Sequence, residues 1–573
     1  MQKKFNNLIL SGIFLFISGC VGFQESLFDP NSLLSALRTT ILLSSRTSSA
    51  PETPTFLAIK NNSILESGFI IGRASADSSV EVSLDDGEFT SAIGTLNWKF
   101  KLPTGSNSWR LGSLHKISIR ATRDALMSPV TTISVRKGTN RDVNGDGFTD
   151  LIVGSPNANS NFGLVSIFHG SENGISATLS SQANTALFAS ALGRLGIATV
   201  SGDFNGDGYS DILTSAFIFT VAGNANAGRA YILYGSESGV PSTLDNPGNV
   251  IIDGSSVGGY LGRSLAAGDL NSDGYDEVII GAYLQSGSNG NIYIVNGRSG
   301  SIPSGIDTAL ANTTLTGSAS RLGESVQTAD LNGDGITDLI GGAPFAQNTL
   351  AQQGRVFIFN GSTSGIPSGN ESSANATITG TNIFGSKLGC SIGYGDLNGD
   401  NVHDLILSAC GADTNGKVYI FNGSTSGISS ANDTAANTIV SSTKTSALFG
   451  SSVRSADIND DGIQDLLVGS SAVSTNLGEA YIFYGSTNGI TAANETSANA
   501  AFTGTNANGM LGFALTPFDY DSDSNTDLVI AATGGSGVLH FFRNSGTGIA
   551  TGSDFNSNQK IQGGTGFGSS LVH

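Results

Sequence analysis

The residues with the clearest chemistry are the oxygen-bearing side chains of a nine-residue segment that runs from Asp142 to Asp150. Asp142, Asn144 and Asp146 stand at positions 1, 3 and 5, and Asp150 stands at position 9. In a tight turn these oxygens point at one centre, and the backbone carbonyl of position 7 can join them. Hard cations such as Ca²⁺ prefer this all-oxygen shell. Gly147 at position 6 lets the backbone reverse in a left-handed conformation, so the segment predicts a calcium loop.

The same loop recurs six more times along the chain. The copies start about every 61 to 66 residues, and a long, nearly constant period is typical of repeat architectures. We therefore expect up to seven Ca²⁺ ions, each held by the side chains at positions 1, 3, 5 and 9. The candidate ligands are Asp142, Asn144, Asp146, Asp150, Asp203, Asn205, Asp207, Asp211, Asp269, Asn271, Asp273, Glu277, Asp330, Asn332, Asp334, Asp338, Asp396, Asn398, Asp400, Asp404, Asp457, Asn459, Asp461, Asp465, Asp519, Asp521, Asp523 and Asp527.

Two copies depart from the pattern. In the fifth copy Asn401 takes the glycine position, which Asn tolerates because it enters the left-handed region more easily than most residues. In the seventh copy Ser524 stands there, and Asp521 replaces the asparagine of position 3. We therefore expect the seventh site to be the weakest.

The residues that follow each loop identify its structural setting. An EF-hand would carry Glu at position 12 and would lie between helices, but position 12 of the first copy is Val153, within the apolar run from Leu151 to Val153. Such short, β-branched runs that end in Gly, Ser or Pro are typical of strands. Each loop therefore joins two strands, and neither an EF-hand nor a dockerin-like helix pair fits.

Four predicted strands occupy each repeat. A strand beginning with Phe-Gly or Leu-Gly precedes the loop, and a strand ending in a Gly-Ala-Pro-like triplet follows it. A third strand and a weaker fourth run complete the repeat. Four strands repeated seven times predict an all-β fold with a seven-bladed β-propeller at residues 137–573. The first loop lacks a preceding strand, and residues 567–573 form such a strand without a loop. We therefore expect the C-terminal strand to close the ring, so that no edge is left unpaired.

Residues 54–136 carry several short alternating runs without an acidic loop. This spacing predicts a small β-sandwich in front of the propeller. The segment resembles bacterial immunoglobulin-like modules, with Trp98 as a candidate core residue.

Residues 1–20 have the form of a targeting segment, with two lysines ahead of an apolar run. The sequence from Ile17 to Cys20 resembles the bacterial lipobox, which implies a lipoprotein signal peptide and a lipidated Cys20; an ordinary cleaved signal peptide is the alternative. Residues 21–53 lack a sustained period and end in a Ser/Thr/Pro-rich stretch, so we interpret them as a tether. We expect a membrane contact through the lipid anchor and a location in the cell envelope, at the outer membrane or the cell surface.

The acidity of the chain follows from its loops. The formal net charge is -19, but the seven loops hold nearly half of the 46 Asp and Glu residues. Bound calcium would neutralise most of this charge. The composition therefore argues against a nucleic acid partner.

The repeats resemble the FG-GAP repeats of the integrin α-subunit propeller, which also occur in bacterial surface proteins and in glycosylphosphatidylinositol-specific phospholipase D. The resemblance rests on the Phe-Gly starts, the Asp-rich loops and the triplet Gly342-Ala343-Pro344, which recur in order. It implies calcium between the first and second strands of a blade, on the face away from the usual ligand surface.

The cysteines and the histidines bear on the fold and on possible catalysis. Cys390 and Cys410 lie symmetrically about the fifth loop, so they should face each other across a hairpin at a distance that permits a disulfide; two small buried residues are the alternative. None of the five histidines pairs with an acid or serine in a recognisable catalytic pattern, and we expect His403 in the fifth loop to be solvated. We therefore expect no enzymatic activity.

These features together predict a monomeric, lipid-anchored protein that binds a protein or glycan ligand, such as a host matrix or envelope component. An integrin-like adhesion role is the first interpretation. A structural or assembly role in the envelope is the second. A propeller-bearing enzyme that degrades glycans or lipids is the third.

Overall fold

The computed structural model describes residues 49–347, 350–381 and 385–572. Cys20, the signal segment and most of the predicted tether lie outside the described residues. Within the described ranges, no helix is both long enough and apolar enough to cross a membrane.

A two-sheet β-sandwich precedes the propeller. Trp98, which is 1% exposed, packs between its sheets with Ile70, Val82 and Ile119. One sheet contains, in spatial order, Thr55–Leu57, Phe69–Arg73, Asn97–Lys101 and Ile93–Gly94. The other contains Ile64–Leu65, Thr131–Lys137, Leu114–Arg123, Ser79–Leu84 and Thr90–Ser91, with Leu126–Met127 paired to Leu114–Arg123.

Seven antiparallel sheets follow as the blades of a propeller. The first strands of neighbouring blades contact one another where they meet around the ring. The strands of each blade are given in order from the first to the fourth.

Blade 1 contains Ser570–Leu571, Leu151–Ser155, Leu164–Phe168 and Thr185–Phe188, and blade 2 contains Thr199–Gly202, Asp211–Ala216, Arg229–Leu233 and Val250–Asp253. Blade 3 contains Leu261–Gly268, Glu277–Ala282, Asn291–Val295 and Thr313–Thr316, and blade 4 contains Ser325–Ala329, Asp338–Ala343, Arg355–Phe359 and Ala376–Thr379. Blade 5 contains Leu388–Gly395, Asp404–Ala409, Lys417–Phe421 and Thr438–Ser441, blade 6 contains Phe449–Ala456, Asp465–Ser470, Glu479–Phe483 and Ala500–Thr503, and blade 7 contains Leu511–Phe518, Asp527–Ala532, Val538–Phe542 and Gln559–Gln562.

The C-terminal strand closes the ring, as the sequence predicts. Leu571 pairs with Val153 and Ser570 pairs with Gly154 in antiparallel register. The strand that the first blade lacks is therefore supplied from the other end of the chain, which satisfies both free edges at once. This pairing confirms the all-β, seven-bladed arrangement.

A fifth strand, which the sequence did not predict, extends four of the blades. In each case the connection after the third strand of one blade pairs in parallel with the fourth strand of the preceding blade. These added strands are Gly305–Ile306 on blade 2, Gly369–Asn370 on blade 3, Ala431–Asn432 on blade 4 and Gly552–Ser553 on blade 6.

An acidic residue beside each added strand fastens neighbouring blades together. Asp433 accepts a hydrogen bond from the backbone N–H of Thr381 at 3.2 Å, and Asp554 accepts one from Thr505 at 3.1 Å. Both carboxylates are buried, and these hydrogen bonds supply the partners that buried polar groups need. The short helices are Gly105–Asn107, Ala158–Asn161, Ser180–Gln182, Asp307–Leu310, Glu371–Ser373, Ala412–Thr414, Asp433–Ala435, Val473–Asn476, Glu495–Ser497 and Asp554–Asn556.

Candidate functional site

Each acidic loop is folded by hydrogen bonds from its own backbone to its side chains. In the first loop Asp142 accepts from the N–H groups of Asp146 at 3.1 Å and Gly147 at 2.8 Å. Asn144 accepts from the N–H of Asp146 at 3.1 Å, and Asp146 accepts from Phe148 at 3.0 Å. The oxygens of positions 1, 3 and 5 are thereby drawn to the inside of the turn, as the spacing predicts.

The position-9 side chain joins the loop to the rest of its blade. Asp150 accepts from the N–H of Val143 at 2.9 Å and from the N–H of Gly170, beyond the third strand, at 2.8 Å. The same side chains are buried in all seven blades, because position 9 is the first residue of the second strand or lies immediately before it. They are Asp150, Asp211, Glu277, Asp338, Asp404, Asp465 and Asp527.

The third loop carries a longer side chain at position 9. Glu277 accepts from the N–H of Leu270 at 2.6 Å and from the side-chain amide of Asn271 at 2.9 Å. Glutamate therefore turns further into the loop than aspartate does in the first blade.

The other predicted ligands lie nearer to solvent. Position 1 is buried in Asp142 and half-buried in the other six loops, and position 3 is half-buried throughout. Position 5 is half-buried in loops 1, 2 and 7 and exposed in loops 3 to 6, at Asp273, Asp334, Asp400 and Asp461. Each loop thus has a buried floor and an accessible rim.

Burial leaves the carboxylates of these loops poorly compensated. Desolvation by burial is the largest cause of their raised pKa values, and the negative charges of neighbouring carboxylates in the same loop raise the pKa further. Together they raise the pKa of Glu277 to about 9, that of Asp527 to about 8, and those of Asp338, Asp404 and Asp465 to about 7. At position 1 the same causes raise the pKa of Asp519 to about 7 and those of Asp142 and Asp203 to about 6.

The donor set fits a hard divalent cation. Buried oxygens Oδ1 of Asp330 and Oδ1 of Asp521 have no hydrogen-bond partner within the described part of the chain. One carboxylate oxygen from each of Asp519, Asp521 and Asp527 lies within 4.8 Å of the other two. Buried carboxylates are stable when they are paired or coordinate a metal, and all-oxygen ligand sets suit calcium.

The β-sandwich lies across the loop face, defined here as the side of the propeller that carries the seven acidic loops. Ser67 donates to Asp142 in loop 1 at 2.6 Å. Phe69 packs on Tyr209 of loop 2, with ring centroids 5.1 Å apart. Arg110 donates to Ser272 of loop 3 at 2.9 Å.

The same module also reaches the remaining loops. Arg110 lies against Gly335 of loop 4. Arg136 donates to Asn401 of loop 5. Lys60 bridges two loops, because its ammonium lies 2.9 Å from Asp460 of loop 6 and 2.7 Å from the amide oxygen of Asn525 in loop 7. The sandwich therefore contacts all seven loops, which no feature of the sequence indicates.

The segment that links the sandwich to the propeller is fixed by Arg141. This side chain forms an ion pair with Glu66 at 2.8 Å and donates to the carbonyl oxygen of Pro517 at 3.0 Å and to Thr516 at 3.3 Å. Thr516 in turn donates to the carbonyl of Val572 at 2.6 Å. One arginine thus connects the sandwich, the seventh blade and the closing strand. A cavity of about 570 Å³ between the sandwich and the loops lies beside it.

The expectation that His403 is solvated is wrong, and His115 has contacts that the sequence did not indicate. His403 is half-buried rather than solvated: its ring lies 5.1 Å from the ring of Tyr394 and against Gly112 of the sandwich. His115 does contact a serine and an acid, Ser113 at 2.7 Å and Asp85 at 2.8 Å.

The contacts of His115 do not form a nucleophilic triad. The hydroxyl of Ser113 donates its single proton to the carbonyl of Arg110, so it accepts from the imidazole instead of donating to it. His115 also stacks on Trp109, with centroids 3.8 Å apart. This arrangement fastens a turn of the sandwich, and a general base would need the opposite hydrogen-bond polarity.

The face opposite the loops carries aromatic side chains with cationic neighbours. Tyr260 lies 5.5 Å from Tyr283 and 5.8 Å from Phe217. Arg321 lies 4.4 Å above the ring of Phe345. Phe217 is buried, whereas the other residues of this group are half-buried.

A disulfide lies at the same end of blade 5. Cys390 and Cys410 are bonded, with their Cα atoms 6.2 Å apart. The bond joins the first strand of the blade, at a register shift, to the end of its second strand. It closes the hairpin that carries the fifth loop.

Comparison with known proteins identifies the repeats. The FG-GAP repeat family model matches residues 261–295, 322–359 and 449–483, and the FG-GAP-like repeat model matches residues 142–214. These matches cover strands of blades 1, 2, 3, 4 and 6, together with their loops.

Curated relatives match the same region. Bovine phosphatidylinositol-glycan-specific phospholipase D is 30% identical over 229 residues, which is 39% of this chain and 26% of the enzyme. Mouse integrin alpha-IIb is 34% identical over 239 residues, 40% of this chain and 21% of the integrin. Integrin alpha-4 of Xenopus laevis is 31% identical over 219 residues, 37% of this chain and 20% of the integrin.

The chain thus spans about a quarter or less of the length of these relatives. A solved DUF4784 family protein from Bacteroides caccae aligns over 89% of this chain and 97% of its own at 10% identity. The TM-score of this alignment is 0.25, which does not establish a shared fold. The matched repeats in five of the seven blades and the similarity to integrin α-subunits lead to one conclusion. The repeat region of this chain is an FG-GAP, integrin α-like domain.

Proposed function

We propose that this protein is a calcium-binding ligand-binding module of the bacterial cell envelope, held to a membrane through Cys20. The observation that carries the proposal is the contact of the sandwich with all seven loops. A face covered by the protein's own second module is unsuited to a large partner. The opposite face, with its aromatic and cationic side chains, is therefore the binding surface.

Calcium has a structural role in this proposal. Each ion would offset the repulsion among three or four clustered carboxylates, so that metal binding contributes to the free energy of folding. Because the sandwich rests on the same loops, calcium also stabilises the orientation of the two modules. Binding residues on the opposite face are thereby held on a rigid ring.

The aromatic and cationic residues of the opposite face suit a protein or glycan ligand. Exposed loop residues on a rigid scaffold are frequent binding residues, and aromatic and arginine side chains dominate binding energies at interfaces. Arg321 and Phe345 are the first candidates because the guanidinium lies directly over the ring. Adhesion to a host or neighbouring cell is the role we favour.

The decisive experiment screens purified protein against matrix proteins, envelope extracts and glycans, with and without a calcium chelator. We expect wild-type binding to be lost on Arg321→Ala or Phe345→Ala and to be unchanged on Lys116→Ala, an exposed residue of the sandwich. Equal losses for all three variants, or none, would contradict the assignment of the binding face. Protease accessibility on intact cells tests the location: protection until the envelope is permeabilised would place the protein in the periplasm and argue against adhesion.

An enzymatic role is the second candidate, favoured by the similarity to phosphatidylinositol-glycan-specific phospholipase D. The match covers 26% of that enzyme, and the Ser113–His115 contact has the wrong hydrogen-bond polarity for a nucleophile. We therefore expect no turnover on a lipid or polysaccharide panel and no labelling of Ser113 by a fluorophosphonate. Labelling that disappears in Ser113→Ala would revive the enzymatic interpretation.

A further inference from the structure

The seventh blade differs from the other six at two positions that face each other. Position 3 of its loop is Asp521, where the other loops carry asparagine. The residue that follows its third strand is Arg543, where blades 1 to 6 carry His169, Tyr234, Asn296, Asn360, Asn422 and Tyr484. Blade 7 alone thus combines an extra acid in the loop with an arginine beside it.

Asparagine at position 3 makes two hydrogen bonds to position 5 in loops 1, 2 and 6, whereas in loops 3 and 5 its amide nitrogen donates to the position-9 carboxylate. Its amide oxygen accepts from the backbone N–H of position 5, at 3.1 Å for Asn144. Its amide nitrogen donates to the far oxygen of the position-5 carboxylate, and that distance is 2.9 Å in loops 1, 2 and 6. Asparagine therefore supplies an oxygen and a hydrogen-bond donor from a single side chain.

Aspartate at position 3 has no N–H to donate, and Arg543 fills that role. The guanidinium donates from Nη2 to Oδ2 of Asp523 at 2.9 Å, the same length as the asparagine contact. Its Nε lies 2.6 Å from Oδ2 of Asp521. The arginine thus restores the missing donor and also pairs with the additional acid.

The arginine restores the charge of the loop as well. At the ligand positions 1, 3, 5 and 9 the seventh loop has four acids against three in each of the others, and Arg543 returns the charge at these positions to the common value. The second oxygen of Asp521, Oδ1, is buried without a hydrogen-bond partner in the described ranges. Oxygens of Asp519, Asp521 and Asp527 converge within 4.8 Å, so an oxygen remains available at position 3.

We propose that Asp521 and Arg543 act together as the equivalent of the position-3 asparagine, and that the seventh loop is a complete cation site. This inference rests on the proposed calcium binding and opposes the expectation from sequence that the seventh site is the weakest. Arg543 is a positioning residue: it holds two carboxylates and does not itself contact the ion.

The test is a double-mutant cycle of Asp521→Asn, Arg543→Asn and the double variant. Two quantities are measured: the number of Ca²⁺ ions bound, by native mass spectrometry at buffered free calcium below saturation, and the melting temperature in chelator. Asp521→Asn leaves the arginine uncompensated and should lose one ion. Arg543→Asn leaves four clustered acids and should lower the melting temperature in chelator without losing an ion. Asn360→Ala, at the position of Arg543 in blade 4, is the control and should change neither quantity.

The double variant recreates the charge and the donor of the other loops, so it should recover both the ion count and the melting temperature. Effects of the two substitutions that simply add would overturn the proposal. A gain of one ion in Arg543→Asn would also overturn it, because the guanidinium would then occupy the cation position. If the wild-type protein binds no ions, calcium binding itself fails, while the melting temperatures in chelator still report whether Asp521 and Arg543 are coupled.

Discussion

The ion pair between Arg141 and Glu66 is the contact on which we expect the union of the two modules to depend most. Arg141 is 5% exposed, and the side chains of the pair are 6% and 18% exposed. Replacing Arg141 with Met keeps most of the apolar volume. It removes the charge and the hydrogen bonds to Thr516 and Pro517. Glu66 then loses its ion-pair partner, and Lys137 is the remaining cation that lowers its pKa.

A second ion pair across the same interface supplies the scale. Arg73 of the sandwich and Glu172 of blade 1 lie 2.5 Å apart, but their side chains are 52% and 45% exposed. Loss of one partner of a buried pair costs about 3–5 kcal/mol, whereas an exposed pair contributes roughly 0–1 kcal/mol. We therefore expect Arg141→Met to be several times more destabilising than Arg73→Met.

The acid partner gives this prediction a pH dependence. Burial raises the pKa of Glu66, and Arg141 opposes that rise, so removing the arginine raises the pKa further. A carboxyl whose folded pKa exceeds its unfolded value contributes stability at low pH and loses it as the pH rises through the folded pKa. The deficit of Arg141→Met should therefore be smaller at acidic pH than at neutral pH.

Chemical denaturation followed by tryptophan fluorescence and circular dichroism measures these differences. The double variant Arg141→Met/Glu66→Gln should regain much of the lost stability, because the buried carboxylate that lost its ion-pair partner is also removed. The reasoning would be refuted if Arg141→Met cost no more than Arg73→Met, or if the additional Glu66→Gln substitution brought no recovery.

Three further predictions address separate parts of the molecule. Asp334→Ala should lower the melting temperature in calcium but leave it nearly unchanged in chelator; an equal loss in both conditions would argue against direct ligation. Reduction of the bond between Cys390 and Cys410, or its removal by serine substitution, should lower the free energy of unfolding by about 3 kcal/mol on the loop-entropy model. Chemical denaturation with and without reductant measures this difference. An unchanged free energy would show that the bond does not form in the folded protein. Burial lowers the pKa of His540 to about 4 from 6.5, with Asp554 opposing the shift and Lys560 adding to it. Because the folded state disfavours the charged imidazole, the free energy of unfolding should fall by about 3 kcal/mol as the pH drops from above 6.5 to about 4. The variant His540→Phe should reduce this fall; phenylalanine suits the site because Phe357 occupies the equivalent position in the third strand of blade 4. A pH profile that is unchanged by the substitution would contradict the assignment.

The repeats, the number of blades and the closure of the ring follow from the sequence. Each rests on local chemistry that recurs at a constant interval: oxygen ligands at fixed positions in a turn, and strands of alternating or apolar residues. Closure follows from counting, because one strand is absent before Asp142 and one is left over after Phe567. The strands of the sandwich were predicted from its short alternating runs, and Trp98, the predicted core residue, is buried.

The contacts between modules were decided by tertiary structure alone. Lys60 reaches Asp460 across 400 positions of sequence, and such a contact depends on the fit of two surfaces, which periodicity does not encode. The pairing of Asp521 with Arg543 could have been suspected, since both depart from the repeat in the same blade. The contacts show which oxygens the guanidinium meets.

The sequence by itself therefore determined what is repeated and local: the acidic loops, the blades and the order of the strands. Tertiary structure decided which face of the ring the sandwich covers, because that choice depends on long-range packing and on charges that meet only after folding. That same choice places the seven loops against the sandwich, which is why the proposed function assigns a partner to the opposite face.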